Sequence, residues 1–265
     1  MQLTDSKYYK ILEPNIDENG LIVQSAPDEH PGGDTLHREG FMALIARELY
    51  DQNKINLAEY LIWRGRFHAN LMKLKDPNRK GNYSRHVDKS RWFGRFDIMS
   101  RDQWLPVAAA IGAMHLHDLG KDLICGAATR GFVLTTNSHP NTDEKKPWKL
   151  PDLMGPKCWA LMIRIKEKSL LDWALPILDI EMLINSWLWI WKFKYKKNDT
   201  DILNHWVTLV RAKRRGDNFV SKLARKLMRR RLENVKFCFD DYFAPSTNAP
   251  QFQIILADIL AESLD

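Results

Sequence analysis

Phe41-Met-Ala-Leu-Ile-Ala-Arg-Glu-Leu49 carries Phe41, Leu44, Ile45, Glu48 and Leu49 at steps of three and four residues. Side chains at those steps share one face of an α-helix, so the run predicts a helix with a mostly apolar stripe. Outward from it the same period returns. Leu57, Ala58, Leu61 and Ile62 open a second helix, and Val107, Ala108, Ile111 and Met114 a third. Further helical runs are expected over residues 156–168, 179–196, 201–213, 218–231 and 251–263, with another around 121–130. The one good strand signal is Gly131-Phe-Val-Leu-Thr-Thr136. The predicted class is therefore all-α, with roughly eight to ten helices in antiparallel hairpins. Such hairpins can close as an α/α toroid or stack as an open array.

Residues 1–33 read as an irregular lead, punctuated by Glu13-Pro-Asn, Asn19-Gly20, Ala26-Pro27 and Pro31-Gly32-Gly33. Residues 34–265 read as a single helical domain, since no Ser/Gly/Pro linker divides them. Two long polar connections interrupt it, Lys75 to Met99 and Asn137 to Gly155, and loops of that length are usually functional or pack as lids. Of the 265 residues 45% are hydrophobic and 28% charged, enough apolar mass to exclude a disordered chain. The net charge of +7 has an address. Residues 189–236 hold fifteen Lys/Arg and four Asp/Glu, or +11, so the rest carries 25 − 29, or −4. That makes a local docking face a better expectation than general nucleic-acid affinity, and neither a zinc-finger nor an RNA-recognition signature is present.

Cys125, Cys158 and Cys238 are odd in number and far apart, which predicts reduced, partly buried thiols rather than disulfides or a zinc site. No apolar h-region follows Met1, so no cleavable secretory signal is expected. The stretch Trp173 to Trp191 ends on an aromatic and basic edge like a membrane belt. Asp179 and Glu181 interrupt it, however, and an acid near a bilayer centre costs about 2.5–3.5 kcal/mol. A buried helix is expected there, with no membrane span.

Three segments deliver polar residues to helix starts. Pro31-Gly-Gly-Asp-Thr-Leu-His-Arg-Glu-Gly40 crowds Asp34, Arg38 and Glu39 where a helix begins; capping alone would explain Asp34. Ser100-Arg-Asp-Gln103 is a capping box placing Arg101, Asp102 and Gln103 at a second start. With Ser100 as the cap, Pro106 becomes the sixth helical residue and opposes the Asp102 carbonyl; with Asp102 as the cap, Pro106 stays in the first turn. Asn137, Trp148 and Asp152 come from the third segment, and Gly155-Pro156 starts the helix after it. If alternate helices run parallel, these starts converge on one face. Paired carboxylates flanking a glycosidic bond are what acid/base glycan cleavage needs, and tryptophan stacks on sugar faces.

Two further constellations compete. His117-Asp118-Leu-Gly-Lys121 resembles the signature of the HD-domain phosphohydrolases, all-helical enzymes whose His and Asp bind catalytic metal. The resemblance implies a divalent metal at His117 and Asp118, with an earlier helical His and a later helical Asp. His86 falls in a predicted loop and His68 lies far upstream. Without chemistry, the same run is a helix end capped by Gly120, with Lys121 favouring the dipole. The basic segment holds Arg214, Arg215, Arg225, Arg229, Arg230 and Arg231, with Leu223, Leu227, Met228 and Leu232 as an apolar stripe. It reads as an amphipathic basic helix.

Taken together, Gly33-Asp-Thr-Leu-His-Arg-Glu-Gly40, Ser100-Arg-Asp-Gln103, Gly131 to Asn137 and Lys149-Leu-Pro-Asp-Leu-Met-Gly-Pro156 resemble segments of uncharacterised proteins encoded by tailed bacteriophages, over residues 30–165. The resemblance implies a phage setting, in the virion or host cytoplasm, and assigns no activity. The expected function is a phage-associated helical protein that binds a glycan in a polar pocket without a cofactor. Asp34 and Asp102 are the acid/base candidates for cleaving it. Arg38 and Arg101 would hold anionic groups, Asn137 and Asp152 would position hydroxyls, and Glu39, Gln103 and Trp148 would complete the contacts. The alternatives are a non-enzymatic virion or host-interaction protein docking through the basic helix, and a metal-dependent phosphohydrolase.

Overall fold

The computed structural model of the chain describes residues 5–23, 35–90, 96, 99, 101–129, 133–135, 152–153, 180, 183–184 and 218–227. The chain divides into two compact units, Met1–Glu167 and Lys168–Asp265. In the first, the regular structure of the described residues is helical apart from isolated bridges and one short two-stranded ribbon, with turns and loops between.

Helix α1 (Lys7–Leu12) and a 3₁₀ turn (Glu13–Asn15) lead into α2 (Thr35–Asp51), α3 (Leu57–Leu74), α4 (Arg101–Ala113) and α5 (His117–Thr129). Burial sorts the last four into two kinds. In α2, 14 of 17 residues are buried, from Thr35 without a break to Ala46. Positions 103–111 of α4 are buried as well. α3 and α5 instead bury one stripe each, Glu59, Tyr60, Trp63, Phe67, Asn70, Leu71 and Leu74 in α3, and Leu119, Gly120, Leu123, Gly126 and Ala127 in α5. α2 and α4 thus form an inner pair, and α3 and α5 are amphipathic outer helices.

Two expectations change here. α2 is buried on all sides rather than along one stripe, because α4 packs against it as well as α3. In α3 the buried face is not the one marked by Leu57, Ala58, Leu61 and Ile62. Leu57 and Leu61 are half exposed, and the Tyr60–Trp63–Phe67–Leu71–Leu74 stripe faces the core. The larger aromatic area decides which face turns inward.

α2 and α3 are antiparallel, since Tyr50 stacks on Tyr60 at one end and Glu39 pairs with Arg66 towards the other. α2 and α4 are parallel. The His37 backbone N–H donates to Gln103 Oε1 at 2.9 Å, and a Cβ on Gly40 would lie 2.6 Å from the Val107 nitrogen and 2.7 Å from the Pro106 carbonyl carbon. The offset is 103 − 37 = 66 at the first contact and 106 − 40 = 66 at the second. Only glycine permits so close a crossing. α4 starts at Arg101, the start that the Ser100 cap implies, so Pro106 is the sixth residue of the helix.

Both inner helices end alike. Lys54 N–H reaches back to the Leu49 carbonyl and Asn53 N–H to Tyr50; Leu116 N–H reaches Ile111 and His115 N–H reaches Gly112. These are Schellman ends, with Asn53 (φ 57°) and His115 (φ 53°) as the left-handed residues. The helix end near His117 is therefore capped by His115, and Gly120 lies in the first turn of α5, not at a C-terminal cap.

The N-terminal lead is more ordered than its Pro and Gly content implies. α1 is capped by Ser6, and Tyr8, Leu12, Leu21 and Ile22 are buried. The first long connection is also structured. Its residues 75–90 form a bridge (Lys75 to Tyr83) and seat Gly81 against Asp122 and Leu123 of α5, with Lys75 and Asp122 paired at 2.5 Å. The expected strand run gives β1 (Val133–Thr135), which pairs antiparallel with β2 (Asp152–Leu153) inside the second long connection.

In the second unit, residues 219–227 are helical. Asn218 caps the helix by accepting from the Ser221 N–H at 2.8 Å. Its buried residues are Ser221 and Ala224, whereas Leu223 and Leu227 of the expected stripe are half-buried. No helix among the described residues is long and apolar enough to cross a membrane.

Candidate functional site

The parallel register of α2 and α4 sets their starts side by side, so two of the three polar segments meet at one end of the inner pair. The side chains there divide by what they touch. Glu39 is fully engaged. Its two oxygens receive Arg66 Nη1 at 2.7 Å and Nη2 at 2.9 Å, and Oε1 also accepts the Ile22 N–H at 2.8 Å. Arg66 Nη2 continues to the Gly20 carbonyl at 2.8 Å, where Asn70 joins it at 3.0 Å. This buried, two-pronged pair clasps the turn at residues 17–22 to α2 and α3, so Glu39 acts in the fold rather than as an open ligand contact. Gln103 is likewise buried, its oxygen accepting from His37 across the helix crossing. Arg38 is buried in the first turn of α2, beside His37 and Thr35.

Asp34, Asn137 and Trp148 lie outside the described residues, and of Arg101, Asp102 and Asp152 only the backbone is described. Arg101 and Asp102 are the first two residues of α4, and Asp152 pairs in β2 with Thr135. Arg214, Arg215, Arg229, Arg230 and Arg231 are outside the described residues too. Arg225 is half-buried on its helix, whose exposed basic residues are Lys222 and Lys226.

Asp17 organises the turn that Glu39 holds. Burial opposes its charge, but the Leu21 backbone N–H, His86 and Asn19 outweigh that and hold its carboxyl below the ordinary range. His86 Nε2 is 2.9 Å from Asp17 Oδ2, so this histidine is committed to the turn and to the loop that carries it.

His117 and Asp118 are exposed at the first turn of α5, and His68 of α3 lines the same cavity. Among the described residues, no three His, Cys, Asp or Glu side chains are arranged to hold a metal ion. Cys125 is a free, exposed thiol, not the partly buried one expected. The chain matches no family model, no curated protein and no solved structure.

Sequence reasoning missed two arginines of α3, Arg66 and Arg64. The signal for both was their position on a helix whose buried stripe runs between them, which becomes legible only once that stripe is assigned to Tyr60, Trp63 and Phe67.

Proposed function

We propose that the chain is a helical glycan-binding protein in which α2 and α4 begin the inner ring of an α/α toroid. Asp34 and Asp102 serve at their shared end as the acid/base pair for cleavage. The observation that carries this is the constant offset of 66 residues between α2 and α4, which sets two helix N-termini side by side. Each N-terminus acts as roughly half a positive charge, so the pair favours a glycan with acidic groups. Buried Arg38 adds positive charge at that end.

Asp34 is bonded to Thr35, so its Cα is one step of about 3.8 Å from the start of α2. Packed helix axes lie about 8–10 Å apart, the same order as the roughly 5–9.5 Å that separates paired carboxylates in glycan-cleaving sites. The alternation of buried inner helices with amphipathic outer ones supports the toroid, and the resemblance over residues 30–165 supports a phage setting.

The test is reducing-end release from a panel of acidic polysaccharides by the wild type, Asp34→Asn and Asp102→Asn. Asparagine caps a helix as well as aspartate does at position 34, and at position 102, inside the first turn of α4, it keeps the size and shape of the side chain, so folding should be kept. Each variant is expected to lose turnover by about 100-fold or more with its Tm preserved. Unchanged turnover in both contradicts the proposal.

A further inference from the structure

On the opposite side of α3 from the Glu39–Arg66 pair, a cavity of about 470 Å³ opens between α3 and the turn joining α4 to α5. Arg64, His68, His115, His117 and Asp118 line it, with Leu116 and Leu119 as apolar wall. Arg64 is prearranged. Its Nε donates to the Met114 carbonyl at 2.9 Å, which orients the guanidinium, and among the described residues neither Nη group has a hydrogen-bond partner. Beside it Gly65 presents open space, with no atom within 4 Å of where a Cβ would stand. His115 holds its left-handed conformation at the rim, a position where glycine is usual.

A guanidinium held by one edge presents its remaining donors as a fork, the geometry that matches phosphate and carboxylate oxygens. His68 of α3 and His117 of α5 both line the cavity. The first turn of α5 adds backbone amides to the same rim. We propose that this cavity is a binding site for a small phosphate monoester, with Arg64 gripping the phosphate and the leucine wall taking an apolar substituent. The site is separate from the one at the start of α2 and α4 and does not depend on it. Among the described residues of the lining Asp118 is the one anionic group, so it weakens phosphate binding rather than providing it.

That sign separates phosphate from metal. Phenyl phosphate and inorganic phosphate should be titrated into the full chain by calorimetry, alongside Mn²⁺, Ni²⁺ and Zn²⁺. Phenyl phosphate is expected to bind more tightly than inorganic phosphate. Arg64→Gln should weaken it by about tenfold or more, the loss of a charge-assisted fork. Asp118→Asn should strengthen it several-fold. Gly65→Glu places a like charge into open space and should abolish binding, whereas Gly65→Lys should enhance it. This glycine pair keeps the test decisive if Arg64→Gln fails to fold. Phosphate affinity indifferent to both Gly65 substitutions overturns the proposal. So does stoichiometric metal binding that is lost in Asp118→Asn.

Discussion

Arg64 and Arg66 stand two residues apart on α3, about 200° around the helix, and their fates are opposite. Arg66 turns towards the buried side, where the Glu39 carboxylate and the Gly20 carbonyl take three hydrogen bonds from its two Nη groups. Arg64 turns to the outer side, where one bond to Met114 orients it and the rest of its fork faces a cavity. The same residue type on the same helix is structural where its bonding is closed and available where it is left open. Glu39 illustrates the point from the other partner. Its place among polar residues at a helix start marked it as a ligand contact, yet its carboxylate is spent on Arg66 and the Ile22 backbone.

The comparison can be broken by mutation. Arg66→Ala strands the Glu39 carboxylate, whose side chain has no solvent exposure, and a broken buried pair costs about 3–5 kcal/mol. Arg64→Ala removes a single partly buried bond to a carbonyl and should cost about 0.5–1.5 kcal/mol. Urea denaturation of the two variants measures the difference, and equal losses would erase the distinction between the two faces. The glycines sharpen it further. Gly40→Ala drives a methyl into the Pro106–Val107 backbone and should destabilise by about 1–3 kcal/mol. Gly65→Ala meets nothing and should stabilise by roughly 0.5–1 kcal/mol through helix propensity. Their Tm shifts should therefore carry opposite signs.

The smallest expected effect is on acid stability. Asp17 is held below its ordinary value of 3.8, so its contribution is present above that pH. It is lost as pH falls through the lower folded value, because the folded state then takes up the proton it had resisted. Asp17→Asn should remove this part of the acid limb, seen as a shallower fall of Tm with pH below 3.8. An unchanged acid limb would mean that the turn around Asp17 does not depend on its charge.

Helical periodicity was legible wherever small or aliphatic residues repeat, and Val107, Ala108, Ile111 and Met114 are all buried as their spacing implies. Periodicity could not choose between two overlapping stripes on α3, since Leu57/Leu61 and Tyr60/Trp63 both recur at helical steps. Packing area made that choice. The Schellman turn at His115 was hidden for a related reason. Gly120 is the usual left-handed residue, but the chain reverses five residues earlier on a histidine that a backbone bond from Leu116 holds in place. Of the candidate site, the convergence of two helix starts follows from Gly40 and Gln103, residues whose importance depends on partners 66 or 67 positions away. No local pattern encodes such a pairing. The buried role of Glu39 was invisible for the same cause, as its partner lies 27 residues along the chain.

The most direct test of a shared site at the starts of α2 and α4 is a double-mutant cycle. Affinity for an oligogalacturonate would be measured by calorimetry in the wild type, Asp34→Asn, Asp102→Asn and the double variant. Two groups that face one ligand should be coupled by about 0.5–3 kcal/mol. Effects on affinity that add to within about 0.5 kcal/mol, or no effect in either single variant, would show that the two aspartates do not share a ligand.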